Sequence, residues 1–335
     1  MVKGRDWTIG ASMARGAGFG NGFGVLLRRV RFVRLDPADC TAIAHRAAEL
    51  AGCAVLVDAY RTDHSLSPTL ARAVEELYRD RYLSDNSWDA LDLDPAQRVE
   101  LCFLVGLIDL IAIVENTLTN PAQAAVETPL RTGRTPAEPG WLLPEQPRLP
   151  RPEFREIGVR AWAFSRGVGA LMGCGRIDGP EMFARSPRMF WSVAPLLVRL
   201  GPLRMGRRNG ELVTLRATWN VGSEYHWGHH GFGGRVMGLS EATINRVAAG
   251  PGAPGWGSED AAILRAVDDL HEHRAIREPA LTELRTFFDD GQIAELCLLA
   301  ANYEMLCMAL NSFGIRFEEG AWYGGPTRYL LAFEN

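Results

Sequence analysis

The chain has 335 residues, 47% of them apolar, and a net charge near −4 with acidic and basic residues interleaved. That length fills the cores of one large or two ordinary domains, and the charge balance lacks the basic footprint that a phosphate backbone requires, so nucleic acid is not an expected partner. The six cysteines, at 40, 53, 102, 174, 297 and 307, contain no C-x-x-C, which removes the commonest zinc and dithiol signatures and fits a reducing cytoplasm.

Residues 1–35 open the chain with a Gly-rich run, "GAGFGNGFG", that has no G-x-G-x-x-G and no strand before it. A dinucleotide loop is therefore not expected, and disorder is the reading for this segment. Nothing in the first residues resembles a secretory signal. Arg28, Arg29, Arg31 and Arg34, like Arg204, Arg207 and Arg208 later on, form short clusters of the kind that make a solvated face.

From Arg72 the sequence "RAVEELYRDRYLSDNSWDAL" returns from Arg265 as "RAVDDLHEHRAIREPALTEL". The run from Gln97, "QRVELCFLVGLIDLIAIVENTL", returns from Gln292 as "QIAELCLLAANYEMLCMALNSF", with Glu100 over Glu295, Cys102 over Cys297 and Asn116 over Asn311. This register predicts an internal duplication. Both copies have helical spacing of apolar residues and no period of two, so the predicted class is all-α. Residues 101–114 are too short an apolar run to cross a bilayer and read as a buried helix, and no membrane is expected. Asp109 and Glu304 occupy matching places in the two apolar helices, where structural ion pairing is the expected role.

Residues 119–152 contain eight prolines and read as an extended linker between a unit at 36–118 and a second at 153–318, with a tail at 319–335. In the second unit a helix is predicted from about Arg208 to Asn220, with Leu212, Leu215 and Trp219 on one face and Glu211 towards the other. The chain breaks near Gly222. Ser223 is the predicted N-cap of the next helix, and Ser240 and Ser258 the predicted caps of two more.

The stretch "SEYHWGHH" from Ser223 holds three of the seven histidines. On a helix starting there, Ser223, His226 and His230 share one face, with the two imidazoles one turn apart. A helix start attracts anions and keeps nearby imidazoles neutral, and Glu211 on the preceding helix can accept the second N–H of one histidine and fix its tautomer. The candidate catalytic residues are therefore His230 as proton carrier, Glu211 as its orienting carboxylate, and His226. Ser223, Glu224, Tyr225 and Trp227 are the candidate substrate contacts, with packing the alternative for Tyr225 and Trp227. An i, i+4 histidine pair with Glu211 is also a zinc geometry, but Trp227 stands where the metalloprotease helix carries Glu and no fourth ligand declares itself. No metal and no cofactor are expected. Cys174 is solitary and expected to be inert.

Glu211, Ser223, His226 and His230, followed by "GRVMGLSEATINRVAAGPGAPGW", resemble the motif of the carboxymuconolactone decarboxylase family, which includes alkylhydroperoxidase D-like proteins. In the peroxidase branch the pattern is Glu, eleven residues, Cys-x-x-Cys, three residues, His. Ser223 and His226 stand at the cysteine positions, as in a cysteine-free branch that usually reads Ser-x-Tyr-Glu-Trp; this chain has His226 in place of that Glu. It also has Gly231, Gly233 and Gly234 where relatives continue the helix. The resemblance covers roughly residues 150–318. It implies an alkylhydroperoxidase D-like helical bundle that forms homo-oligomers, with a pocket near the Glu and His positions and a degenerate N-terminal copy in which His45 is the one weak echo of the motif. The reaction it implies is decarboxylation or proton transfer beside a carbonyl in a small carboxylated or lactone-type substrate. Peroxidase activity, the family's other label, is disfavoured by the missing cysteine pair, and a non-catalytic scaffold or ligand carrier is the third reading.

Overall fold

The computed structural model describes residues 7–8, 29–119, 140–199, 204–318 and 320–321. It is all-α: among the described residues the only sheet is the pairing of β1 (Trp7–Thr8) with β2 (Arg31–Phe32), antiparallel with Trp7 opposite Phe32. The rest of the Gly-rich opening up to residue 28, for which disorder is the sequence reading, lies outside the described residues. The first half supplies α1 (Pro37–Leu50), α2 (Ala54–Ala59), α3 (Pro68–Asp80), α4 (Asp85–Ala90) and α5 (Pro95–Val114), which runs on through a π-helical turn, Glu115–Thr119. The second half supplies α6 (Phe154–Met172), α7 (Asp178–Phe183), α8 (Pro187–Arg199), α9 (Arg207–Val221), α10 (Glu224–Val236), α11 (Glu241–Ala249), α12 (Ser258–His273), α13 (Ala280–Leu284) and α14 (Asp290–Phe313).

Local chemistry sets many of these boundaries. Asp36, Ser67, Ser84 and Ser240 each accept a backbone N–H in the first turn of the helix they precede, and Pro stands in the first turn of α1, α3 and α5. Asp94 with Gln97 and Asp289 with Gln292 form reciprocal capping boxes at the starts of α5 and α14. One expected cap moves: α12 is capped at Gly257, and Ser258 is its first helical residue. The first turn is steadied instead by its acids, Asp260 accepting twice from Arg208 at 2.8 Å and Glu259 accepting from Asn209 at 2.8 Å.

The two apolar helices α5 and α14 pack against each other at the centre, buried along almost their whole length. Gly106 permits this approach, since a Cβ there would lie 2.4 Å from the Met305 Cγ. With its polar first turns α5 is longer than its apolar run suggested. By length and composition both helices could cross a bilayer, yet their apolar surface is covered by protein. Around this pair, α1 and α3 pack on α5, while α9 and α12 pack on α14 and on each other.

Segments that match in sequence make matching bonds. Gln97 donates to the Arg34 carbonyl at 3.1 Å and Gln292 to the Arg204 carbonyl at 3.3 Å. Glu100 accepts from the Arg34 N–H at 2.9 Å, and Glu295 from the Arg204 N–H at 2.8 Å. Asn116 donates to the Ala51 carbonyl at 2.9 Å, and Asn311 to the Val221 carbonyl at 3.1 Å.

Where α5 meets α14, four charges close a ring. Arg81 and Arg274, the left-handed C-caps of α3 and α12 with φ of 55° and 56°, are wholly buried. Arg81 reaches Asp109 at 2.8 Å and Glu304 at 3.0 Å; Arg274 reaches Glu304 at 2.6 Å and Asp109 at 3.4 Å. His271 adds a contact of 2.8 Å to Glu304. Burial alone would raise the Glu304 carboxyl, but Arg274, His271 and Arg81 overcome it and hold it far below the usual carboxylate range.

The segment expected as a linker is only partly visible, because residues 120–139 lie outside the described ones. Residues 140–152 are extended but tied down rather than free. The Leu142 N–H donates to the Gly222 carbonyl at 2.9 Å and the Arg148 N–H to the Phe313 carbonyl at 3.0 Å, while the Arg148 guanidinium donates to Leu83 and Ser312 carbonyls at 2.7 and 3.0 Å. This strap satisfies carbonyls at the ends of α9 and α14 that the helices themselves leave open.

Removing one member of the charge ring leaves buried cations uncompensated. Asp109→Ala is expected to cost about 3–5 kcal/mol in urea unfolding, whereas Arg46→Ala, which breaks the half-exposed contacts to Glu49 and Glu75, should cost less than about 1 kcal/mol. Equal losses from the two substitutions would show that the ring contributes no more than a surface pair.

Candidate functional site

The site begins where α9 ends. Gly222, at φ 68°, takes the left-handed turn that stops the helix and donates back to the Thr218 and Trp219 carbonyls. Ser223 then stands at the N-cap of α10 with extended backbone, but its hydroxyl caps nothing: it lies 3.5 Å from His226 Nδ1. The three glycines do not end α10, which continues to Val236. They lower its intrinsic stability; close packing accounts for Gly233 and Gly234, as it does for the earlier Gly228, whereas a Cβ at Gly231 would meet nothing nearer than Arg235 at 3.9 Å. A Cβ at Gly233 would lie 3.1 Å from Glu211 Oε1, one at Gly228 only 2.5 Å from the Phe317 ring, and one at Gly234 3.1 Å from Leu239. Bare backbone at these points lets α10 lie close against α9 and the chain after α14.

The result is a cavity of about 530 Å³ between α6, α7 and α8 on one side and α10 and α14 on the other. Such a volume suits a small organic ligand. Its walls are apolar, from Val168, Met172, Phe183, Phe190 and Leu306 among others, and its polar side chains are Glu211, Tyr225, His226, His229 and His230 from α9 and α10, with Tyr303 from α14 beside them. Phe164 and Trp191 line the cavity yet remain 48% and 38% exposed, so they form a rim that reaches solvent.

His230 Nδ1 lies 2.8 Å from Glu211 Oε2, with both side chains about one-fifth exposed. The carboxylate accepts the Nδ1 proton, which leaves Nε2 as the basic edge of the ring. His226 stacks beneath at 6.5 Å between ring centroids and an interplanar angle of 28°. Tyr303 from α14 sets its edge against both rings, at 4.6 Å from His230 and 5.6 Å from His226. His226 is buried, and burial, then the neighbouring His230 and His229, holds its pKa well below the usual 6.5, so it is neutral. Its Nδ1 faces Cys307 Sγ at 3.4 Å as well as the Ser223 hydroxyl.

A second His–Glu pair was not anticipated from the sequence. His229 Nε2 lies 2.9 Å from Glu318, which also accepts from the Tyr225 hydroxyl at 3.1 Å and from the Asp178 N–H at 2.7 Å. The Tyr225 oxygen in turn accepts the Gly179 N–H at 3.2 Å. Burial would raise the Glu318 carboxyl, but the hydrogen bonds and the charge of His229 hold it below its ordinary value. Glu318 joins α7, α10 and the chain beyond α14 at one point.

Thus Glu211, His226, His230 and Tyr225 meet at the cavity as the sequence grouped them, and three expected substrate contacts do not. Ser223 sits behind His226. Glu224 is not among the residues that line the cavity; its buried Oε2 lies 3.9 Å from Arg316. Trp227 packs in an aromatic cluster, 5.0 Å from Trp219 and 6.4 Å from Trp141. Tyr303, Cys307 and Glu318 were missed. For the first two a signal existed: in the alignment of the two similar apolar segments they stand opposite Ile108 and Ala112, so that only the second segment carries polarisable groups there. Glu318 is 89 residues from His229, and no local spacing announces it. Among the described residues no group of three or more His, Cys, Asp or Glu side chains converges as a metal site.

The neutral state of His226 has a thermodynamic signature. Its folded pKa is depressed, so below 6.5 the unfolded chain takes up a proton that the folded chain refuses, and stability falls as pH falls. His226→Leu should flatten this slope by on the order of 1 kcal/mol per pH unit between pH 6.5 and 5, read from urea midpoints at several pH values. Parallel curves for the two proteins would mean that the folded chain protonates His226 normally. In comparisons with protein-family models, with curated proteins and with solved structures, the chain matches none, so the chemistry of this cavity has to be read from its own geometry.

Proposed function

We propose that this protein is an acid–base enzyme that moves a proton next to a carbonyl group in a small, mainly apolar substrate. The observation that carries this reading is the 2.8 Å contact between His230 Nδ1 and Glu211 at the floor of a cavity open to solvent. With Nδ1–H held by the carboxylate, His230 Nε2 can accept a proton from carbon, and Glu211 stabilises the imidazolium that forms. The resemblance of Glu211, Ser223, His226 and His230 to the carboxymuconolactone decarboxylase motif points to the same class of chemistry.

The lining favours one form of substrate over another. No Lys or Arg is among the described residues that line the cavity, and Glu211 is. A carboxylate entering it would meet a like charge and no cation, whereas a lactone or ketone needs only a hydrogen-bond donor for its oxygen. Proton transfer on a neutral carbonyl compound is therefore preferred to decarboxylation. Peroxidase chemistry needs a reactive thiol pair; the nearest thiol, Cys307, is alone, and burial pushes its pKa far up. The apolar walls support a second reading, a carrier of apolar ligands that performs no chemistry.

We also infer that the fold is an internally duplicated, alkylhydroperoxidase D-like bundle. The matching bonds of Arg34 with Arg204 and of Ala51 with Val221 support this, as do Gly52 and Gly222, both at positive φ. In that register Thr41, Cys53, Leu56 and Tyr60 correspond to Glu211, Ser223, His226 and His230. The first copy then lacks both acid and base, and one active site per chain is the consequence.

The test is solvent-deuterium exchange into a panel of cyclic ketones and γ-lactones, followed by NMR. The intact protein should catalyse exchange at the carbon beside the carbonyl, and His230→Ala and Glu211→Gln should each slow it by about 10²- to 10⁴-fold. Full-rate exchange by both variants would remove the assignment, and binding of panel members without exchange would favour the carrier.

A further inference from the structure

We propose that the two stacked imidazoles are held in opposite tautomers, so that His230 presents a bare Nε2 as the base while His226 presents Nε2–H as the donor to the substrate oxygen, with Cys307 as the positioning residue that sets the second. This inference rests on the acid–base reading and assigns the group that the reading still needs, a donor for the oxygen on which charge develops.

The argument starts from what each Nδ1 meets. At His230 it meets a carboxylate, which can only accept, so Nδ1 carries the proton. At His226 it meets a thiol at 3.4 Å and a hydroxyl at 3.5 Å, each with a hydrogen to give. Thiol sulfur is a weak acceptor, and burial keeps the Cys307 thiol protonated. The Ser223 hydroxyl is not used for capping and hydrogen-bonds the Cys307 sulfur, so a chain from hydroxyl to thiol to imidazole leaves the thiol hydrogen directed at Nδ1. The pairing that satisfies these groups puts the lone pair of His226 at Nδ1 and its proton at Nε2. Among the described residues neither Nε2 has a hydrogen-bond partner, and both rings line the cavity.

The geometry suits one reaction centre. The ring centroids are 6.5 Å apart and nearly parallel, a span that a carbonyl oxygen and its neighbouring carbon, each about 3 Å from its partner, can bridge. As His230 Nε2 takes the proton, the C–H pair becomes the new C=C bond and the carbonyl π pair moves to oxygen, where the His226 Nε2–H meets it. His226 keeps its proton throughout. Return of the proton from His230 to the same or a conjugated carbon restores the carbonyl and regenerates both residues, with no oxidant or reductant needed. A neutral imidazole is the better donor here, because an imidazolium would give up its proton to the enolate or add a charge against apolar walls. The burial that keeps His226 uncharged serves that role.

The test reads protons directly and needs no substrate. Long-range proton–nitrogen correlation spectra of the protein labelled with 15N-histidine, assigned through His226→Gln and His230→Gln, report which ring nitrogen carries hydrogen. At neutral pH, His226 should be protonated at Nε2 alone and His230 at Nδ1 alone. Cys307→Val should turn the single His226 form into a mixture while His230 stays unchanged, and Cys307→Ser, which keeps a donor, should restore it; thermal melting verifies that each variant folds. A proton on His226 Nδ1 in the unaltered protein, or on both of its nitrogens, overturns the proposal. An unchanged His226 spectrum in Cys307→Val overturns the role of Cys307. These outcomes are separate from the exchange test: a wrong tautomer at His226 leaves the His230–Glu211 base standing, and full activity without His230 leaves the spectra as they are.

Discussion

The interaction on which the rest depends is the buried ring of Arg81, Asp109, Arg274 and Glu304. Each arginine reaches both carboxylates, so the ring ties the C-caps of α3 and α12 to the middle of α5 and α14 in one step. Two apolar helices packed only by dispersion can rotate or slide at modest cost, whereas a charge moved out of register inside a core cannot. The ring therefore fixes the rotation of α14 about its axis. With Glu304 turned to the ring, Tyr303 and Cys307 are presented to α10, where they hold the imidazoles. Structural electrostatics in one layer sets the geometry of chemistry in the next.

Much of this was legible because it is local or repeated. Helical spacing gave the class, Ser223 and Ser240 marked the starts of α10 and α11, and the pairing of Glu211 with His230 followed from two helices joined by a tight turn at Gly222. Burial of residues 101–114 followed from their lack of any polar face. The rest was lost for physical reasons that differ from residue to residue. Trp227 follows the cavity-lining His226 yet packs against Trp219, because an indole beside a cavity wall can turn to either side and composition does not say which. Ser223 occupies a cap position without capping, since its hydroxyl is drawn to the imidazole below. The proline-rich segment reads as a spacer, but its backbone groups in 140–152 find partners on the ends of α9 and α14, which only the folded molecule brings near. The walls of the cavity, from α6 to α8, carry no motif at all. They are ordinary apolar residues whose role arises from what they surround.

The cavity draws its apolar and its titratable groups largely from different helices. Its apolar side comes from α6, α7, α8 and α14, and its titratable side from α9 and α10. On the proposed reading, the apolar walls would set substrate size and shape, while the imidazoles are held by Glu211, which itself lines the cavity, and from behind the wall by Ser223, Cys307 and Glu318. A common acid–base core with changeable walls is a physical route by which one scaffold serves many small molecules.

The glycines of α10 give the final consequence. A helix containing four of them in 13 residues has little stability of its own, and Phe317 and Glu318 press on it from beyond α14. The ordering of the histidines therefore depends on residues that follow α14 in the chain. A local opening just past α14 would therefore loosen the cavity floor while leaving the central pair of apolar helices packed.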